Sequence, residues 1–304
     1  MDWAAKQSLS SETQRHSPCI GVCKVDEETG LCLGCARTRD EIASWPSLDA
    51  KARLAVWEEL PARHAAQAKR VRLLPLTTDE ILAWAAQTIG KRLGGWSTGM
   101  PGAVAEFTAA ADETPTAELK EHEVIGRTNT AFFRLRRHEQ LRAFAFEEGG
   151  SIVLGVPKAA IGAYANSAIT RLGVDVEAGT PDFRGHLLFD YGLGRKFSRF
   201  CIRTNTEALI AALRDFEGQP WQALMAAAGS RIIAESPHRV VESSLARIEV
   251  YAPIPEPSGR SPDGAHTHFL PAFLAAGEEI SPSLALPEKI APVAIFHPSR
   301  RQTA

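Results

Sequence analysis

Cys19, Cys23, Cys32 and Cys35 crowd into one short segment, SPCIGVCKVDEETGLCLGC, while the rest of the chain holds only Cys201. The spacing Cys-x3-Cys-x8-Cys-x2-Cys pairs soft thiolates across a loop, which suits a tetrahedral all-sulfur zinc site or an iron-sulfur cluster. Disulfides are the competing chemistry for clustered cysteines. The opening MDWAAKQSLSSETQRHS has no basic stretch followed by an apolar one, so no secretory signal is expected. No run approaches the ~18 apolar residues of a membrane span. A cytoplasmic chain with reduced thiols follows as the expectation, and with it metal ligation.

A second set of residues has metal-ligand spacing. His266 and His268 in SPDGAHTHFLP are at i and i+2, and extended backbone points both imidazoles to one side. A third ligand would have to come from elsewhere, with His186, His238, His297 and Glu249 as candidates. The alternative is that both histidines only order a long loop, or that one serves as a general base. Cys201, in the alternating stretch Phe200-Cys201-Ile202, reads as a small buried hydrophobe. Gly192-Leu193-Gly194-Arg195-Lys196 lacks the spacing of a phosphate cradle and reads as a turn. The adjacent acids Glu147-Glu148 and Glu278-Glu279 point apart in helix or strand and make poor acid-base pairs.

Around the cysteines, Gly21, Gly30 and Gly34 supply the tight turns that a chain wrapping a metal needs. Thr38 and Glu41 form a capping box that predicts a helix, ended by Pro46. Ser47 is then expected to cap a second helix, with Leu48, Ala52, Val56, Trp57 and Leu60 on one face closing a small core with Ile42 and Trp45. CIGVC followed by GLCLGCARTRDEIASW resembles a family of small bacterial domains of unknown function described as predicted iron-sulfur proteins. The resemblance covers about residues 16 to 65 and implies a metal site on the four cysteines, with no reaction attached. Zinc fits the donor set equally well. A zinc held by four thiolates would be structural, stapling a module too small to be safely stable alone, whereas a cluster could carry electrons.

The four-cysteine module is assigned to residues 16–70 and a larger domain to 76–298, the break lying near Pro75. A capping box from Thr77 to Glu80 starts a helix predicted over 79–93, with Gly94-Gly95 as its stop signal. Beyond Gly99 come candidate strands AVAEFTA, EVIGRTNTAFFRLRR, LRAFAFE, SIVLGV, HLLFDYG, FSRFCIRT and SLARIEVYAPI, with a hairpin turn at Glu148-Gly149-Gly150. Helices are expected at TEALIAALRDF and WQALMAAAG. Strands cluster instead of alternating with helices, which predicts an α+β domain with a mainly antiparallel sheet.

GHLLFDYGLG, FCIRT, SPHRVVESSLARIEVYAPIPEP and SPDGAHTHFLP resemble an uncharacterised set of bacterial proteins, which implies no activity. With a formal net charge of -2 and pI ≈ 6.5, the basic run HAAQAKRVR reads as a solvated helix end, and nucleic acid is not the expected partner. The leading expectation is a cytosolic metal-binding accessory protein: a zinc or iron-sulfur site on Cys19, Cys23, Cys32 and Cys35, fused to a domain that binds a protein or small ligand. The alternative is a metal-dependent or histidine-based enzyme with its site at His266 and His268.

Overall fold

The computed structural model describes residues 17–19, 25–26, 29–32, 35–67, 71–146, 150–255, 263–274, 279–280, 284 and 286–299. Cys23, Gly21 and Gly34, the acids Glu147, Glu148 and Glu278, and the turn residue Gly149 lie outside them. The chain divides into two compact units, 1–70 and 71–304.

In the first unit, helix α1 (Arg39–Ser44) starts where expected, with Thr38 accepting from the Glu41 backbone while the Glu41 carboxylate accepts from the Thr38 backbone. Helix α2 spans Ala50–Gln67. Its cap is not Ser47, whose hydroxyl donates to the Ser44 carbonyl; instead the Asp49 carboxylate accepts from the Ala52 N–H at 2.7 Å. Trp45 and Leu60 are buried as expected of a small core, but Ile42 is 39% exposed. Arg63 of α2 forks onto both Glu41 oxygens at 2.6 and 2.9 Å.

The second unit is α+β, with two large sheets in which all the strand pairs are antiparallel. The strands are β1 (Val71–Leu73), β2 (Gly94–Met100), β3 (Ala103–Phe107), β4 (Thr116–Leu119), β5 (Glu123–Arg127), β6 (Ala131–Arg136), β7 (Arg142–Phe146), β8 (Ile152–Pro157), β9 (Thr170–Val174), β10 (Leu187–Asp190), β11 (Arg199–Thr204), β12 (His238–Glu242), β13 (Ala246–Val250), β14 (His266–Phe269) and β15 (Ile290–Pro298). One sheet runs β1-β7-β8-β15-β2-β3-β14 and the other β4-β5-β6-β13-β12-β11-β10-β9. A single sheet was expected; two form because strands of both sheets carry apolar residues on a facing side. Trp96, Ala105 and Phe107 of the first sheet join Phe133, Val241 and Ile248 of the second in one core. The expected strand over 123–137 is a hairpin of β5 and β6, broken where the Glu113 carboxylate accepts from the Thr130 backbone and hydroxyl.

Helix α3 (Thr78–Gly90) buries Ile81, Leu82, Ala85 and Ile89, and Thr77 and Glu80 complete its capping box. It ends before Gly94-Gly95, since Arg92 takes the left-handed conformation at φ 53. Those glycines serve β2 instead. A Cβ on Gly94 would lie 2.1 Å from the His297 carbonyl of β15, so only glycine permits that pairing. The remaining helices are α4 (Glu207–Asp215), α5 (Trp221–Glu235) and the short α6 (Pro271–Leu274).

Candidate metal centre

Strand β14 is an edge strand paired only with β3 among the described strands, in a register that sets His266 opposite Glu106 and His268 opposite Val104. Along β3 the burial alternates, with Ala103, Ala105 and Phe107 buried and Val104 and Glu106 partly exposed, so Glu106 stands on the outer face. His266 and His268 turn to the same face. Their Nε2 atoms are 2.9 Å apart, and Glu106 lies 3.4 Å from His268 Nε2 and 3.8 Å from His266 Nε2. One ligand atom from each of the three lies within 4.8 Å of the others.

The orientation of His266 is fixed from behind. Its Nδ1 lies 3.0 Å from the Gly264 carbonyl, which can only accept, so Nδ1 carries the hydrogen and the Nε2 lone pair faces the group. Gly264 holds φ +97, and a Cβ there would meet Ala110 at 3.1 Å. The Asp263 carboxylate next to it accepts from the Ala111 backbone at 3.1 Å, tying the approach to β14 down beside β3. The hydrogen bond with His268 holds the Glu106 carboxyl below its usual range, against the opposing effect of burial. The same contact raises His268. The three ligand atoms face one another across the space that a divalent cation would fill, taking the place of the hydrogens between them.

The third ligand, Glu106, is none of the four candidates drawn from the sequence. Glu249 and His238 belong to the other sheet, and His186 just precedes its strand β10, where buried charges knit strands together. Arg203 Nη1 donates to Glu249 at 2.6 Å and to Asp175 at 3.0 Å. Arg247 donates to Glu249 at 2.7 Å and Glu242 at 2.5 Å, and also pairs with Asp175. Glu249 therefore has both oxygens committed to structure. His238 packs on Phe183 and Tyr251 with centroids 4.3 and 5.0 Å away, and its Nδ1 accepts from Arg203 at 3.3 Å. His186 stacks 6.2 Å from His238. His297 shares the outer face of the first sheet with Glu106 but bonds to serines. Cys201 is fully buried, and burial pushes its thiol well up, as its alternating context implied.

Residues 80–303 match the model of a family of unknown function, DUF6925. That match spans β2 to β15 and all three residues of the cluster. The chain belongs to the DUF6925 family. Residues 17–64 match a second model, a protein of unknown function, DUF1289. No curated protein and no solved structure matches the chain. The chemistry of the DUF6925 region must therefore be read from its own side chains. Glu106 left one faint trace in the sequence: it is the lone charge in the apolar strand AVAEF, and a charge there must face outward.

In the DUF1289 region, Cys19 is exposed while Cys32 and Cys35 are buried. The chain doubles back at Gly30, φ +69, and again at Ala36, φ 52. Ala36 donates to the Cys32 carbonyl and Cys32 to the Arg37 carbonyl, each at 2.8 Å, which ties Cys32 to the residues just after Cys35. Arg37 Nε donates to Cys35 Sγ at 3.3 Å, and the guanidinium sits 4.5 Å from the Trp45 ring centroid. Burial pushes the Cys35 thiol up, but the Arg37 and Cys32 hydrogen bonds outweigh it and the thiol lies below its usual value. A thiol tuned towards thiolate fits a soft metal ion.

Proposed function

We propose that this chain is a metal-dependent enzyme whose DUF6925 region binds a divalent transition metal through Glu106, His266 and His268, and whose cysteine segment carries zinc or an iron-sulfur cluster on Cys19, Cys23, Cys32 and Cys35. The observation that carries the first part is the convergence of three ligand atoms from two neighbouring strands. Ligands bound at about 2.0–2.1 Å to one tetrahedral cation sit about 3.3 Å apart, and the separations of 2.9, 3.4 and 3.8 Å bracket that value. Two imidazoles and a carboxylate suit zinc or ferrous iron. Three protein ligands leave a position for water or substrate, which distinguishes a catalytic centre from a closed structural one. The carbonyl behind His266 supplies the supporting hydrogen bond that metal-binding histidines normally have.

A second reading, a binding protein without turnover, is favoured by the thiol set, because four thiolates saturate a cation and leave nothing open. The two readings separate by experiment on the full-length protein purified without oxygen, with metal and acid-labile sulfide measured together. Glu106→Gln, His266→Ala and His268→Ala should each remove the same one equivalent of metal, while Cys32→Ser and Cys35→Ser remove a different one. Histidine variants with unchanged metal content would defeat the enzyme reading and leave the cysteines as the metal site.

A further inference from the structure

The outer face of the first sheet carries more polar chemistry than the three ligands use. Ser97 of β2 stands opposite Glu106 of β3 in the antiparallel register. Its hydroxyl lies 3.1 Å from His297 Nε2, and the other ring nitrogen of His297 lies 3.3 Å from the Ser151 hydroxyl. Side chains from β2, β3, β14 and β15, with Ser151 just before β8, thus form one polar row: Ser151, His297, Ser97, Glu106, His266, His268. Cross-strand neighbours on one face have Cβ atoms about 4.5–5.5 Å apart, so the Ser97 side chain starts on the same face directly beside that of Glu106. Ser97 is 3% exposed, which shields the His297 ring from bulk water on that side.

A neutral imidazole between two hydroxyls is a proton carrier, since each hydroxyl can donate or accept. Burial lowers His297, with Glu106 acting in the opposite sense, so the ring is neutral and able to accept at neutral pH. The three metal ligands do not use it, and the hydrophobic cluster formed by Phe144, Phe146 and Val153 with Ile290 and Ile295 occupies the rest of this face.

We propose that His297 accepts, through the Ser97 hydroxyl, a proton from water held at the Glu106–His266–His268 centre, making the centre a hydrolytic one for esters or amides. The inference rests on the metal reading above. The water O–H bond breaks and its proton passes to Ser97 Oγ as the Ser97 hydroxyl proton passes to His297 Nε2. The resulting hydroxide adds to the carbonyl carbon. The carbon–oxygen or carbon–nitrogen bond then breaks, and the leaving group takes the proton back from the imidazolium by the same route. Ester or amide plus water gives acid plus alcohol or amine, with no other reactant. In the tautomer whose Nδ1–H donates to the Ser151 hydroxyl, Nε2 is free to accept. His297 acts through Ser97 and is in that sense a positioning residue.

The test uses full-length protein loaded with zinc and p-nitrophenyl acetate as the probe. Wild type should hydrolyse it with a rate that falls as pH drops below the ordinary histidine value. His297→Asn and Ser97→Ala should bind zinc as wild type does, lower kcat by about 100-fold with little change in KM, and flatten that limb of the pH profile. Ser97→Thr, which keeps the hydroxyl on a strand-compatible side chain, should restore much of the rate. Zinc-loaded variants with the wild-type rate and profile would overturn the proposal, as would loaded wild type with no hydrolysis. Failure of wild type to take up zinc at Glu106, His266 and His268 would instead remove the metal reading beneath it. Should His297→Asn fail to fold, the Ser97 pair decides alone.

Discussion

Protonating His238 would bring a second positive charge against the Arg203 guanidinium, which already donates to its Nδ1 at 3.3 Å. Burial, followed by Arg203, lowers this histidine to about 4. The unfolded chain binds a proton near 6.5 and the folded chain only near 4, so stability is full above the upper value and is lost as pH falls between the two. Denaturant unfolding of wild type between pH 7 and 4 should show that loss, and His238→Asn should show a smaller one. Equal slopes would mean that other groups, such as Glu177, which its arginines hold at about 2 against the effect of burial, set the acid limit. Residue-scale chemistry of this kind was hard to read from sequence. Glu249, a candidate ligand there, is fully buried between two arginines, and no spacing rule shows that Arg203 and Arg247 lie within reach. What did show was the side-by-side direction of His266 and His268, because a period of two is a local property of extended chain.

At the scale of elements, local signals were reliable where they had a chemical partner close by. Both capping boxes, Thr38 with Glu41 and Thr77 with Glu80, form as read. Thr77→Ala should cost about 1 kcal/mol without changing the folded far-ultraviolet spectrum, measured as a lower denaturation midpoint with constant slope; no change would mean that packing of Ile81 and Leu82 alone starts α3. Strands rich in apolar and aromatic residues, β6 to β8 and β11, were legible. β2 was not, since Gly94-Gly95 imitates a helix stop and reveals its purpose only against the His297 carbonyl. Nor was β12, whose His238 and Arg239 look like loop residues. Arg239 in fact crosses towards β14, donating to the Pro237 and Ala252 carbonyls at 2.8 and 2.6 Å and lying 3.4 Å from Thr267. Burial lowers it to about 10, with Tyr191 opposing. Glu106 escaped for a related reason: its partners arrive from a strand far along the chain, and pairings of that range leave no mark on either segment alone.

For the whole molecule, composition and strand clustering were enough to indicate an α+β unit behind a small cysteine-bearing one, but not that the strands divide into two facing sheets. That division depends on which face of each strand is apolar and which partner covers it, a property of the assembled core. No described helix is long and apolar enough to cross a membrane. Glu106 and the two histidines are separated by more than half of the chain, and β14 has only β3 to pair with among the described strands. A cation bound to both would close that long loop much as a covalent cross-link does, restricting the unfolded ensemble. At one hundred times its dissociation constant it would add about 2.7 kcal/mol. Thermal unfolding should therefore shift upward with added zinc in wild type and stay fixed in Glu106→Gln, and amide exchange should slow first in β14. The candidate catalytic ion would then also serve as the clasp that keeps β14 docked on β3.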